Sequence, residues 1–145
     1  KDIPWLQDEW GGKLIVKGVQ SVEDALELKK LGVDGIVLSN HGGRQMDRGI
    51  VPLELLPEVK AAVGTSMEVF IDGGVDNAGD VLAAVAHGAH GVMIGRPYLY
   101  ALMAAGEKGV DHMADIFRQE MDNTLKLMGV PKVSDLTPLH AKLRP

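Results

Sequence analysis

The sequence predicts an α/β protein built on a parallel sheet, and three observations predict it. Apolar runs of four or five residues recur along the chain, each followed by a helix-length amphipathic segment. That is the pattern of β-α units whose strands are covered on both faces. Glycine, at 18 of 145 residues, punctuates many of the joins. The pattern also repeats internally: Gly32-Val33-Asp34-Gly35-Ile36-Val37-Leu38-Ser39 matches Gly88-Ala89-His90-Gly91-Val92-Met93-Ile94-Gly95, and Val16-Lys17-Gly18 resembles Ile71-Asp72-Gly73 at nearly the same offset. Two tandem β-α-β-α units fit half of a (β/α)₈ barrel better than a doubly wound sheet. The plainer reading of the repeat is generic helix-to-strand chemistry at each G-x-x-G.

The elements follow in order. Residues 1–12 read as the end of a helix, and a strand at Leu14–Lys17 is closed by Gly18. Ser21 followed by Asp24 gives a capping-box-like start to a helix carrying Ala25, Leu28 and Leu31, which Gly32 stops. A second strand, Gly35–Ser39, enters the polar stretch Asn40–Gly49. Pro52–Val63 reads as a helix despite Pro57, and Gly64 ends it. The third strand is Met67–Asp72. Its helix, Asn77–His87, has Val81, Leu82, Val85 and Ala86 as the apolar stripe, and the fourth strand runs from Gly91 to Ile94. The four β-α units thus occupy 13–96. Closing helices occupy 97–131: a short one, Tyr98–Ala105, then a longer one with a stripe of Val110, Met113, Phe117, Met121, Leu125 and Met128. The segment 132–145, with Lys132, His140, Lys142 and Arg144, reads as a loosely held tail.

Composition narrows the class. Hydrophobic residues at 46% and charged residues at 24% are the mix of a globular protein. A net charge of −5 argues against a general nucleic-acid binder, which would want a basic face. The absence of cysteine removes disulfides, thiolate metal sites and cysteine nucleophiles together. With no targeting pattern and no apolar run near the roughly 18 residues of a membrane span, the expected location is the cytoplasm. The chain opens at Lys1 inside a helix-like segment, so the functional unit is expected to be longer than 145 residues.

In parallel β-α architectures the working groups gather where strands end and loops begin. Here the first strand ends in Lys17, the second in Ser39-Asn40-His41-Gly42-Gly43-Arg44-Gln45, the third in Asp72-Gly73-Gly74, and the fourth in Gly95-Arg96. Lys17, with three strand-forming residues before it, is expected to bury its stem and to need an anion or an electron-rich ring beside its ammonium. Gly73-Gly74 and Gly95-Arg96 can bring backbone N–H groups and a guanidinium to one anion. His41, flanked by small residues, is sterically open, and histidine is the side chain suited to proton transfer near neutral pH. Arg44 can grip a carboxylate with both prongs. A base beside a carboxylate clamp points to an α-substituted acid as substrate. His87, His90, His112 and His140 lack such a setting and read as structural or solvent-facing. No pair of histidines has convincing ligand spacing, so no metal is assigned.

Val16-Lys17-Gly18, Ser39–Gln45, Asp72-Gly73-Gly74-Val75 and Ile94-Gly95-Arg96-Pro97, in this order and spacing, resemble the motifs of the FMN-dependent α-hydroxy acid oxidases and dehydrogenases, the family of glycolate oxidase, L-lactate oxidase and dehydrogenase, and mandelate dehydrogenase. The resemblance implies a (β/α)₈ barrel of which this chain is the C-terminal half, strands five to eight. It implies FMN as cofactor and oxidation of a small L-2-hydroxy acid, of lactate or glycolate type, to the 2-oxo acid. By position, His41 would be the catalytic base and Arg44 the substrate-carboxylate ligand. Lys17 would lie against the N1/C2 carbonyl edge of the flavin, Ser39 would bond its pyrimidine, Asp72 would contact the ribityl chain, and Gly73, Gly74, Gly95 and Arg96 would hold the phosphate. The partners implied are the N-terminal half of the barrel, on the same or a second chain, and further copies of the protein; membrane attachment through the missing half stays open.

Two departures stand out. Family members usually carry an arginine after D-G-G-V, paired with the FMN phosphate; this chain has Asp76 and then Asn77, and a carboxylate there would repel a phosphate. The first half of the barrel, with a substrate-binding tyrosine and further flavin contacts, is absent. The alternatives are therefore an inactive half-barrel or scaffold that needs a partner half, and another FMN- or phosphate-binding barrel, against which the histidine–arginine loop speaks.

Overall fold

Four parallel strands lie side by side in chain order in a computed structural model that describes residues 2–143. They are β1 (Ile15–Val19), β2 (Gly35–Leu38), β3 (Glu68–Ile71) and β4 (Gly91–Val92). α1 (Asp2–Trp10) precedes them, and α2 (Val22–Lys30), α3 (Pro52–Val63) and α4 (Ala78–Ala86) make the three crossovers. α5 (Arg96–Met128) follows β4, and a short 3₁₀ turn lies at Val133–Asp135 in the tail. Lys1 and Arg144, both named above, lie outside the described residues.

The core forms between the sheet and its crossover helices. Ile36, Leu38, Val69 and Ile71 are fully or almost fully buried against Leu56, Val59 and Val63 of α3 and Ala25 of α2. The alternate residues, Ile15, Lys17, Val37 and Phe70, take the opposite face, as the period of two requires. Ser21 caps α2 by accepting from the Asp24 amide at 3.0 Å. The reciprocal capping box forms at α4, between Asn77 and Asp80. Pro52 sits in the first turn of α3, where its missing N–H costs nothing, and the helix runs on through Pro57 to Val63.

The structure departs from the sequence expectations in three places. β1 does not stop at Gly18 but continues through it to Val19. β4 is only two residues long, although the Met93 amide still donates to the Ile71 carbonyl at 2.9 Å, and Met93 and Ile94 line the cleft described below. α4 buries Ala84 in the sheet core as well as Leu82 and Ala86. It lies between the sheet and α5, so one stripe does not describe it. α5 carries the two closing helices as one run broken at Ala105–Gly106, where φ changes from −150° to +61°. Its second arm buries Phe117 and half-buries the rest of the expected stripe, with Asp111, Asp115, Arg118 and Asp122 exposed. No described helix is long and apolar enough to cross a membrane.

Candidate functional site

The site begins at an irregularity in β1. Lys17 stands opposite Val37 and Val19 opposite Leu38, so Gly18 is an extra residue in the ladder, a bulge with φ +103° that a side chain would strain. The bulge lets Val16 and Val19 both face the core while Lys17 faces the other way.

Lys17 is where expectation needs correcting. Its side chain is 40% exposed, because β1 pairs on one flank only among the described residues. It does have the expected anion: its Nζ lies 2.6 Å from Asp72 Oδ2, just past β3. Nζ also donates to Ser39 Oγ at 3.1 Å. Ser39 is wholly buried at the end of β2, and its Oγ accepts a second hydrogen bond, from the His41 amide, at 3.1 Å. One hydroxyl therefore ties the lysine to the histidine loop.

That loop is a tight left-handed turn. His41, Gly42 and Gly43 have φ of 55°, 68° and 74°. Left-handed backbone is uncommon outside glycine and strains a histidine by about 1–3 kcal/mol. Local hydrogen bonds hold it: the Gly42 amide donates to Asn40 Oδ1 at 3.0 Å, the Gly43 amide to the Asn40 carbonyl at 3.0 Å, and Asn40 Nδ2 to the Ile50 carbonyl at 3.4 Å. The imidazole lies over the bulge of β1. A Cβ placed on Gly18 would come within 2.8 Å of its Cε1.

A cleft of about 650 Å³ opens at this end of the sheet, within the usual range for small-molecule sites. Lys17, His41, Arg44, Asp72, Gly73, Gly74, Gly95 and Arg96 all line it, and Ser39 lies bonded beneath. All nine residues singled out in the sequence are brought together. The sequence reading did not assign the remaining lining to the site: Gly42, Gln45, Val75, Met93, Ile94, Tyr98 and Leu99, with Asp76 noted only as a departure. Gly18 was also missed as a site residue, although a glycine inside a strand pattern is itself a sign of a bulge or a close approach.

Charge within the cleft is mixed. Lys17, Arg44 and Arg96 line it together with Asp72 and Asp76, and Asp72 Oδ1 is buried with no partner among the described residues. The amides that open α4 are already engaged. Asp76 and Asn77 donate to Asp80 Oδ2, and Ala78 donates to Glu120 Oε2 of α5. An anion in the cleft therefore has the Gly73–Gly74 and Gly95 backbone and Arg96 to bind, with open space around Gly74 and Gly95. Beside it, His41 can move a proton and Arg44 can hold a carboxylate.

The other described histidines hold structure or face solvent. His90 Nδ1 accepts from the Val69 amide at 3.0 Å, His87 Nε2 lies 3.0 Å from the Ala141 carbonyl, and His140 Nδ1 accepts from the Thr137 amide at 3.0 Å. His112 is exposed.

A parallel β/α layer with its polar groups converging on one cleft at the carboxyl ends of the strands defines a small-molecule-binding protein of the kind that carries cofactors there. The chain belongs to the FMN-dependent dehydrogenase family, whose model matches residues 1–143. It is 47% identical over 96% of its length to a putative L-lactate dehydrogenase of Mycobacterium tuberculosis, covering 34% of that protein. It is 46% identical over 95% of its length to a pre-mycofactocin synthase of the same species, covering 35% of it. Among solved structures, a soluble mutant of the membrane-associated (S)-mandelate dehydrogenase from Pseudomonas putida superposes with a TM-score of 0.91 at 43% identity, over 95% of this chain and 39% of that one. The chain spans about a third of the length of the curated relatives it matches. The family resemblance read from the four motifs is the right one, and the family is FMN-dependent.

Proposed function

We propose that this chain is the C-terminal half, strands five to eight, of a (β/α)₈ barrel, and that the complete enzyme oxidises a small L-2-hydroxy acid of lactate or glycolate type to the 2-oxo acid. The observation that carries this reading is the convergence of Lys17, Ser39, His41 and Asp72 in one bonded cluster, with Arg44 on the same cleft wall. Bound FMN supplies the two-electron acceptor. His41 takes the proton released from the substrate, and Arg44 grips the carboxylate in a two-pronged geometry that presents the α-carbon in one orientation. Lys17 and Ser39 would hold the pyrimidine edge of the flavin, where the Lys17 ammonium would favour negative charge. Asp72, with one carboxylate oxygen lacking a protein partner, suits a hydroxyl of the ribityl chain. Gly73, Gly74, Gly95 and Arg96 would hold the phosphate, and Asp76, unlike Asp72 with its Lys17 partner, is a lining carboxylate that opposes it.

The half-barrel reading is supported by the sheet. β1 and β4 each have one flank unpaired among the described residues, and Ile15 on β1 is 43% exposed. The preceding half of the barrel, on the same or a second chain, is the natural cover for both. Further copies of the protein, a cytoplasmic location and a membrane contact through that preceding half complete the proposal.

The test is His41→Ala in the complete enzyme with L-lactate. Turnover is expected to fall more than tenfold while flavin absorbance is kept. Turnover within tenfold of the unsubstituted enzyme would show that His41 is not the base.

A further inference from the structure

We infer that Gly18 is a positioning residue for the proposed base: the bulge of β1 is a seat on which the imidazole of His41 rests. The inference rests on the reading of His41 given above, but its evidence is steric. His41 is held at two points. Its amide donates to the buried Ser39 hydroxyl, which fixes the backbone. Among the described residues its ring has no such bond; it meets β1 at Gly18, where an added Cβ would lie 2.8 Å from Cε1, 3.6 Å from Nε2 and 3.7 Å from Nδ1. Ordinary contact begins at 3.4 Å, so any side chain at position 18 must push the ring away by several tenths of an ångström. The seat exists because the ladder slips between Lys17 and Val19, which leaves Gly18 unpaired in the register beneath the ring. The same slip keeps Lys17 on the cleft side, where it meets Asp72 and Ser39. One extra residue in an edge strand thus sets both the lysine and the histidine.

A displaced base loses rate out of proportion to the distance, because proton transfer depends on near-attack geometry. Carboxylate binding by Arg44 does not depend on the ring. Gly18→Ala in the complete enzyme is therefore expected to lower kcat for L-lactate by about 10- to 100-fold. KM should stay within about threefold and flavin content should be unchanged, the signature of an interaction made in the transition state. A crystal structure of the variant should show the His41 ring moved off β1. Gly64→Ala is the control for backbone strain: Gly64 has φ +67°, nothing within 4 Å of an added Cβ, and a place at the far end of α3. It should cost stability but leave kcat alone.

A kcat for Gly18→Ala within threefold of the unsubstituted enzyme would overturn the proposal, as would an equal loss in Gly64→Ala. Should Gly18→Ala fail to fold, because φ +103° strains any side chain there, a crystal structure of the unsubstituted complete enzyme reads the seat directly: a His41 ring lying over Gly18 supports it, and a ring turned off β1 overturns it. If His41→Ala retains turnover, the base assignment falls and the seat with it. If His41→Ala is inactive while Gly18→Ala is unimpaired, the seat alone falls.

Discussion

Lys17 and Asp72, from strands that are not neighbours, close a 2.6 Å ion pair over the end of the strand between them. The pair spans β2 because Lys17 points away from the core and Asp72 lies one residue past β3. Ser39, under both, supplies the hydroxyl that Lys17 also uses. With the lysine side chain 40% exposed, solvent screens the attraction. A double-mutant cycle with Lys17→Met and Asp72→Asn is therefore expected to give a coupling energy of about 1 kcal/mol or less in chemical denaturation. A coupling above about 3 kcal/mol would mean that the pair behaves as a buried one.

Arg44 lines the cleft three residues beyond His41. Arg44→Lys keeps the charge but loses the fork, so KM for the hydroxy acid should rise about 10- to 100-fold, with kcat changed far less. Steady-state kinetics separate the two. An equal fall in kcat at unchanged KM would move Arg44 from binding to the chemical step.

Asp76 lines the same cleft as Arg96 and Gly74. Reversing its charge with Asp76→Arg should tighten FMN binding about tenfold, which is about 1.4 kcal/mol. Arg96→Ala should weaken it by a comparable factor or more. Quenching of flavin fluorescence on titration reads both. An unchanged affinity in Asp76→Arg would place the phosphate away from this turn.

Two stability changes test the frame. Asn77→Ala removes the α4 capping box and should cost about 1 kcal/mol. Leu56→Ala, in a wholly buried position, should cost about 2–5 kcal/mol. Thermal unfolding ranks them, and the reverse order would mean that α4's start matters more than the core beneath it.

His90 carries a prediction about the sheet. Its Nδ1 accepts the Val69 amide while its own amide donates to the Val69 carbonyl at 2.8 Å, extending the edge that β4 is too short to pair. His90→Phe should speed hydrogen exchange at the Val69 amide about tenfold, the worth of one lost hydrogen bond. Unchanged exchange would show that the ring contributes nothing to that edge.

Much of this was legible in the residues, for physical reasons. Strand and helix starts were readable where a short polar side chain or a proline sits at a boundary, as at Ser21, Pro52 and Asn77, because capping and fixed φ act locally. That the nine residues would gather at one cleft was readable because a parallel sheet delivers every strand end to one rim. What escaped depends on distances between segments. The half-exposure of Lys17 follows from β1 being an edge, and no local pattern marks an edge. Glu120 reaches the first amide of α4 from 42 positions away, a contact that neither segment announces. Gly18 was visible as a glycine in a strand, but its meaning required knowing that a ring from the neighbouring strand's loop would come to lie on it.

The left-handed backbone at His41 has a consequence for how this loop tolerates mutation. With φ at +55°, position 41 screens amino acids by conformation before any chemistry is asked of them. Glycine, asparagine and aspartate pass most easily, whereas a glutamate or lysine substitute carries the conformational cost on top of a change of proton acceptor. A library at this position sorted only for folded protein should therefore enrich those three small residues over every β-branched one. Position 41 is therefore constrained by its backbone independently of any chemistry the side chain performs.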